Sequence, residues 1–422
     1  MKRQLIALLG AIAVLLVLGS GAAQAQSVQG VEQSAGTGQS ANSSASSTQT
    51  NPSNSNISVR IFSPGDNGSV SQSNNSVAGS VAGNAAATGQ GVSQSQGGGG
   101  GGEQAVGQVA ETIQKAKSNA ESKQEKPSNS NISVRIHSEG DDGDVSQSNN
   151  SVAGSAAGNV AKTVQEAEQA QGGGEAAKKG KCCDGGSGVQ AVGQEAITGQ
   201  KAESEAKSVQ EHASNENIPV RIGSKGDNGS VSQSNNSVAG SLALNLAKTT
   251  QGVSQSQGGG CGCHGGDAVQ AVGQKAITGQ LADSEATSIQ KGASNSNTPV
   301  RIHSKGDDGD VEQSNNSIGL SAALNAAKTE QAVGQSQGGG CGCGDRHKSD
   351  GAKVQAVGQW AETWQKADSD ATSVQWKPSN TNAPVREKSK GGGGSVSQSN
   401  NSLAASAALN LAKTLQLVRQ EQ

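Results

Sequence analysis

Reading alternate residues from Gln190 gives Val192, Gln194, Ala196, Thr198, Gln200, Ala202, Ser204, Ala206, Ser208 and Gln210, a polar column sustained over 21 residues. The column returns at 29–49, 104–124, 270–290 and 355–375, while the residues in between change freely among Gly, Ser, Glu, Lys, Asn, Ile and Trp. A helix places same-face residues three or four apart, so this two-residue period predicts extended strands with one fixed face and one free face.

A second column follows in each copy. In the third it begins Val231, Gln233, Asn235, Ser237, Ala239 and continues through Asn245 and Gln251 to Gln255. It recurs from Val70, Val145, Val311 and Val396, with Gly319 replacing one Ala and Ala167 one Val. Read backwards, it nearly reproduces the first column read forwards. That mirror predicts a long antiparallel hairpin in which Gln faces Gln or Asn, Ala faces Ala or Thr, and Ser faces Ser. Between the arms, 214–222 is followed by Gly226-Asp227-Asn228-Gly229, turn residues that predict a smaller hairpin. Equivalent turns begin at Gly65, Gly140 and Gly306, and the last copy has Gly391 to Gly394.

Gln-Ser-Asn-Asn-Ser begins at Gln72, Gln147, Gln233, Gln313 and Gln398, giving spacings of 75, 86, 80 and 85 that differ mainly in Gly-rich connectors. The organisation expected is a signal peptide at 1–25 and repeats at 26–96, 97–175, 176–260, 261–340 and 341–422. The expected fold is all-β, a repetitive stacked array packed through a small, amide-rich face, as a β-solenoid or as long antiparallel hairpins. Stacked copies align identical Gln, Asn, Ser, Thr and Ala, so side-chain amides form ladders; Gln194, Gln200, Asn235, Asn245 and Gln251 are the chosen ladder positions. A repeat that buries its face only against neighbours needs several copies, and five suffice.

Composition sharpens this picture. With 1% aromatic residues, no Tyr, one Met and 61 Gly, the chain lacks the side chains of an ordinary core. Such composition is usually that of a disordered chain; retention of identity at every second site argues for order. Lys2, Arg3, the apolar run from Leu5 to Leu18 and Ala23-Gln24-Ala25 read as a secretory signal. Secretion or surface association follows, with no transmembrane segment expected. The formal charge of −3 becomes about −5 once the signal leaves, too mild to imply a nucleic-acid partner.

Asn84 to Gln90, Asn159 to Gln165, Asn245 to Gln251, Asn325 to Gln331 and Asn410 to Gln416 all fit Asn-x-Ala-x-x-x-Gln. This resembles the closing half of a curlin repeat from bacterial amyloid fibre subunits. The resemblance implies stacked β-strands, secretion and assembly into surface fibres.

Cysteine offers the sharpest chemistry. Cys182-Cys183, Cys261-Gly262-Cys263-His264 and Cys341-Gly342-Cys343 lie in equivalent connectors. In an exported chain, disulfide cross-links between connectors or molecules are the plain reading, with six Cys permitting 15 intramolecular pairings. No cofactor is expected; Zn or Cu at the Cys-x-Cys connectors is the alternative. The Asp-bearing turns read as turns rather than Ca²⁺ sites. Asn74-Asn75-Ser76 reads as packing rather than a glycosylation site. No nucleophile elbow or placed His–acid pair supports an enzyme. Trp360, Trp364 and Trp376 all fall in the last copy, on the free face, as a terminal cap or as contacts for a surface glycan or other ligand. The expected function is a secreted structural protein that self-associates in an extracellular matrix, surface layer or fibre. A surface adhesin or carbohydrate-binding module is the alternative, and extracellular metal binding a second.

Overall fold

A computed structural model describes residues 27–96, 102–172, 188–258, 268–338 and 352–421. These five stretches are five rungs of a stack, each with a long outgoing strand, a short strand and a long return strand. The outgoing strands are β1 (Ser27–Thr50), β4 (Gly102–Glu125), β7 (Gly188–Glu211), β10 (Ala268–Lys291) and β14 (Lys353–Trp376). The return strands are β3 (Val70–Gln96), β6 (Val145–Gln171), β9 (Val231–Gln257), β13 (Val311–Gln337) and β17 (Val396–Glu421). The short strands are β2 (Ser53–Ile61), β5 (Ser128–Ile136) and β8 (Ser214–Ile222); in the last two rungs they divide into β11 (Ser294–Asn297) with β12 (Val300–Ile302), and β15 (Ser379–Asn382) with β16 (Val385–Glu387).

Each class of strand forms its own parallel sheet, ordered by rung. Every rung pairs with the next in strict register: Gln200 lies beside Gln114 on one side and Gln280 on the other. The fold is therefore an all-β stack of solenoid type. At about 3.3 Å per residue and 4.8 Å per rung, it is a plate about 80 Å wide and about 20 Å tall.

The expected long hairpin is corrected here. Among the described residues the arms share no antiparallel ladder, and 214–222 forms no small hairpin. The arms of one rung do run in opposite directions, but in separate sheets that meet through side chains. Thr37 Oγ1 lies 3.2 Å from Thr88 Oγ1, and Ser76 Oγ donates to Ser47 Oγ at 2.9 Å. The mirrored columns thus specify partners such as Ser47 and Ser76 across a sandwich, while Thr37 and Thr88, each set against an Ala by the mirror, meet each other. Their backbone groups find partners in neighbouring rungs, which a pleat with matching copies above and below supplies without interruption.

The interior consists of columns. Ala82, Ala116, Ala157, Ala202, Ala243, Ala282 and Ala323 form one apolar band, and Val92, Val106, Val192, Val253, Val272 and Val333 with Ala167 form another. Side chains this small bring the sheets close. At Gly319 a Cβ would lie 2.6 Å from the Thr372 carbonyl oxygen of the opposite sheet.

Two corners turn each rung. The first uses one left-handed residue, Asn51, Lys126, His212, Gly292 or Lys377, with φ between 50° and 59°. The second begins with Phe62, His137, Gly223, His303 or Lys388 in the same conformation, followed three residues later by a glycine. That glycine is required twice over: Gly226 has φ 119°, and a Cβ there would lie 2.2 Å from the Gly140 carbonyl oxygen of the rung beneath. Gly226→Ala is expected to cost roughly 1–3 kcal/mol from backbone strain alone, with rung separation adding to it. Gly273→Ala, on the outer face of β10 with nothing within 4 Å, is expected to stay within about 0.5 kcal/mol of wild type. Urea denaturation of the two variants checks the contrast.

Candidate assembly site

The inward face carries amide ladders. Gln200 Nε2 donates to Gln114 Oε1 at 2.9 Å, Gln280 to Gln200 at 2.7 Å, and Gln365 to Gln280 at 2.6 Å. The amide's second hydrogen crosses to the facing sheet, from Gln200 to the Leu246 carbonyl oxygen at 2.9 Å. Gln194 and Gln251 do the same, each with the glutamine beneath and a carbonyl across. Asn235 and Asn245 ladder in the opposite sense, donating upward to Asn315 and Asn325, each at 2.9 Å. All five sequence-predicted ladder residues therefore lie where a rung meets its neighbours, buried and bonded.

The two senses give the stack a direction. At the first rung, Gln33 and Gln39 donate across to Gly91 and Ala85, and among the described residues no rung lies beyond them to take their remaining amide hydrogens. At the last rung, Gln365 Oε1 and Gln375 Oε1 occupy the positions that accept from the next rung elsewhere in the stack. The inward asparagines reverse this, with Asn54 Oδ1 outermost at the first end and the Asn380 and Asn410 amides at the last. One end thus presents the complement of what the other lacks. Outward-facing backbone groups follow suit. Val311 N–H donates to Ser395 oxygen at 2.7 Å, so the equivalent Val396 N–H faces away from the stack.

The third sheet encloses an arginine column that periodicity alone did not single out. Arg135, Arg221 and Arg301 are fully buried, stacked between Arg60 and Arg386. Arg135 Nε lies 2.9 Å from Asp142 Oδ1, and Arg221 Nη2 lies 3.1 Å from Asp142 Oδ2. Asp308 bridges Arg301 and Arg386 in the same way, at 2.8 and 2.6 Å. Asn67 and Asn228 take the place of Asp in the first and third rungs, each accepting from its own Arg at 2.8 Å. The signal was present in the sequence: an Arg in every copy, seven residues before Asn67, Asp142, Asn228 and Asp308. Asp66, Asp141, Asp227 and Asp307 are also occupied, each carboxylate accepting a backbone N–H from the next rung. Among the described residues, no group of three or more His, Cys, Asp or Glu is placed to hold a metal ion.

Trp360, Trp364 and Trp376 project from the outer face of β14 and are 58–63% exposed. They stand beside the open edge, and Trp364 lies over Gly279. Asn74 and Ser76 face inward, as the packing reading of that triplet has it. Asn75, however, belongs to a separate outer ladder, accepting from Asn150 at 2.8 Å. Cys182, Cys183, Cys261, Cys263, His264, Cys341 and Cys343 lie outside the described residues. Comparisons with family models, curated proteins and solved structures find no match.

Two outcomes follow. Gln200→Ala removes one rung of a ladder and leaves the Gln280 amide without its acceptor, an expected loss of about 1–3 kcal/mol in equilibrium unfolding. For Asp142, burial raises the carboxyl pKa, but adjacent Arg221 and hydrogen bonds from Arg135 and Ser133 outweigh it and hold the group below the usual carboxylate range. A depressed folded pKa means the unfolded chain binds more protons, so this stabilisation is complete above the unfolded value of about 3.9 and is lost as pH falls through the folded one. The difference in melting temperature between wild type and Asp142→Asn is therefore expected to be flat above about pH 5 and to change below about pH 4.

Proposed function

We propose that this protein is a secreted structural component that adds end to end with copies of itself, building an extracellular fibre, matrix or surface layer. The reading rests on one observation: the terminal rungs carry opposite halves of the same ladders. A head-to-tail contact of this kind does not close on itself, and such heterologous contacts generate open filaments. Rung 1 of an incoming copy continues all three sheets of rung 5. The tryptophans suit that junction. In register, Trp360, Trp364 and Trp376 neighbour Ser34, Gly38 and Thr50 of the next copy, residues small enough to be overlain. Disulfides between connectors are part of the proposal, locking rungs or neighbouring molecules after export.

The three exposed Trp side chains also support a second reading, an adhesin that binds glycan through this row. The two diverge in experiment. If the protein assembles, the purified chain grows fibres with a meridional reflection near about 4.8 Å, and its tryptophan emission shifts to the blue as fibres form. Val396→Pro removes an outward N–H and no ladder bond within the chain, so elongation is expected to slow at least about tenfold while monomer circular dichroism is unchanged. A saturable emission shift with soluble glycan, abolished by Trp364→Ala and independent of protein concentration, supports the adhesin instead.

A further inference from the structure

The two broad faces of the plate differ. The outer face of the outgoing sheet carries mixed charge, including Lys275 paired with Glu195 at 3.1 Å and Lys291 with Glu211 at 3.0 Å. The outer face of the return sheet has an apolar centre. Alternate residues over 77–85, 152–160, 238–246, 318–326 and 403–411 make a block of five columns by five rungs, and every one is Gly, Ala, Val, Ile or Leu. At the spacing of a β-sheet the block covers about 800 Å², larger than the patches that soluble monomers leave open.

We infer that a second copy of this chain covers this face, related by a two-fold axis parallel to the stack, so that two plates pair with their charged faces outward. The area fits: two such faces bury about 1,600 Å², the size of a stable, specific interface. The relief fits too. Column 79 forms a trough where Gly79, Gly154 and Gly240 leave the sheet bare. With column 81 on the axis, column 83 of one copy lies over column 79 of the other. Leu244 then enters above Gly240 at the third rung, Leu409 above Ala405 at the fifth and, one column out, Ile318 above Ala326 at the fourth, where Leu320 closes the trough and meets Leu324.

The flanks select this axis. Lys162, Lys248, Lys328 and Lys413 border the block on one side, and the outer Asn150, Asn236, Asn316 and Asn401 ladder on the other. The axis chosen sets each Lys column against the partner's Asn ladder. The alternative, an axis along the strands, sets Lys against Lys, where like charges repel. The chosen axis also points both stacks the same way, so paired plates can lengthen together.

The inference is independent of end-to-end growth and is tested on the full chain in both conditions. Below the fibre-forming concentration, sedimentation velocity is expected to give a dimer; in fibres, scanning transmission electron microscopy is expected to give twice the mass per length of a single stack. Leu244→Asp with Leu324→Asp is expected to halve that mass and return the soluble species to monomer. Ile197→Asp with Ile277→Asp, on the charged face, leaves both unchanged. Gly240→Leu is the sharper variant. It makes the face more apolar but fills the trough, so pairing is expected to weaken at least tenfold, whereas a merely adhesive surface would gain. Single-stack mass in the wild type, pairing that survives the paired Asp substitutions or strengthens with Gly240→Leu, or binding of the face to phosphatidylglycerol vesicles in place of dimerisation would overturn it. A dimer that never forms fibres upholds the pairing and removes the end-to-end reading.

Discussion

Parallel stacking in register is the constraint from which the rest of the molecule follows. An inward side chain in this stack meets its own equivalent above and below, so its chemistry must be compatible with itself. Amides meet that condition because each is both donor and acceptor: Gln200 accepts from Gln280 while donating to Gln114 and across to Leu246 oxygen. A buried amide left unpaired costs about 1–3 kcal/mol, and a paired one contributes about 0.5–1.5 kcal/mol. The ladders therefore act more as a demand for register than as a large source of stability. A slip of one residue would turn every inward amide outward. Ala and Val fill the remaining columns, small enough to let two sheets approach and to stack on copies of themselves.

Much of this was legible because self-compatibility leaves a trace in the sequence. Residues that must match their equivalents repeat, so the two-residue period alone places Gln194, Gln200, Asn235, Asn245 and Gln251 on the fixed faces of their strands. The mirror between the columns gave facing partners such as Ser47 with Ser76 and Ala41 with Ala82, but it set Thr37 and Thr88 each against an Ala, whereas they face each other. It gave the wrong kind of pairing, since reversed order arises equally from a hairpin ladder and from a sandwich. The arginine column escaped because a single Arg among Ile, Val and Pro has no period within one copy; its meaning lies between copies. Asn75 was assigned to the constant face with its neighbours, although the pleat places it outside, where it builds a ladder of its own.

Outer columns follow a different rule. A side chain on the outside also has its equivalents as neighbours, but water replaces the opposing sheet, so identity can drift while character is kept. Column 77 runs Val77, Val152, Val238, Ile318, Leu403, varying in shape and never in polarity. Within one rung the run Val77, Gly79, Val81, Gly83, Ala85 is an unremarkable set of small residues. Only alignment of all five rungs turns it into a surface. On the outgoing sheet the same freedom is used for charge, where some successive rungs pair Lys with Glu, as Lys275 with Glu195 and Lys291 with Glu211, and others stack like charges, as Lys115 with Lys201; exposed pairs of this kind contribute little to stability while keeping the face wet.

The arginines test how far stacking tolerates charge. Like charges one rung apart repel, and burial removes the water that would screen them. Five arginines matched by five aspartates would neutralise the column, but they would also stack carboxylate on carboxylate. The sequence Asn67, Asp142, Asn228, Asp308, Gly393 places acid in alternate rungs, and each carboxylate reaches two guanidiniums, its own and the next one up. Asn67 and Asn228 complete the chain by donating to Asp142 and Asp308 at 2.6 and 2.8 Å, so the column between acids is neutral donor and acceptor. The remaining guanidinium hydrogens go to backbone oxygens, Arg135 to Gly65 at 2.9 Å and to Asp141 at 2.6 Å. These are the oxygens of the tight turn in which Gly140 and Gly226 are required. Charge, turn and register thus fix one another. A change at the turn glycine acts on the arginine column, and a change in the column acts on the turn.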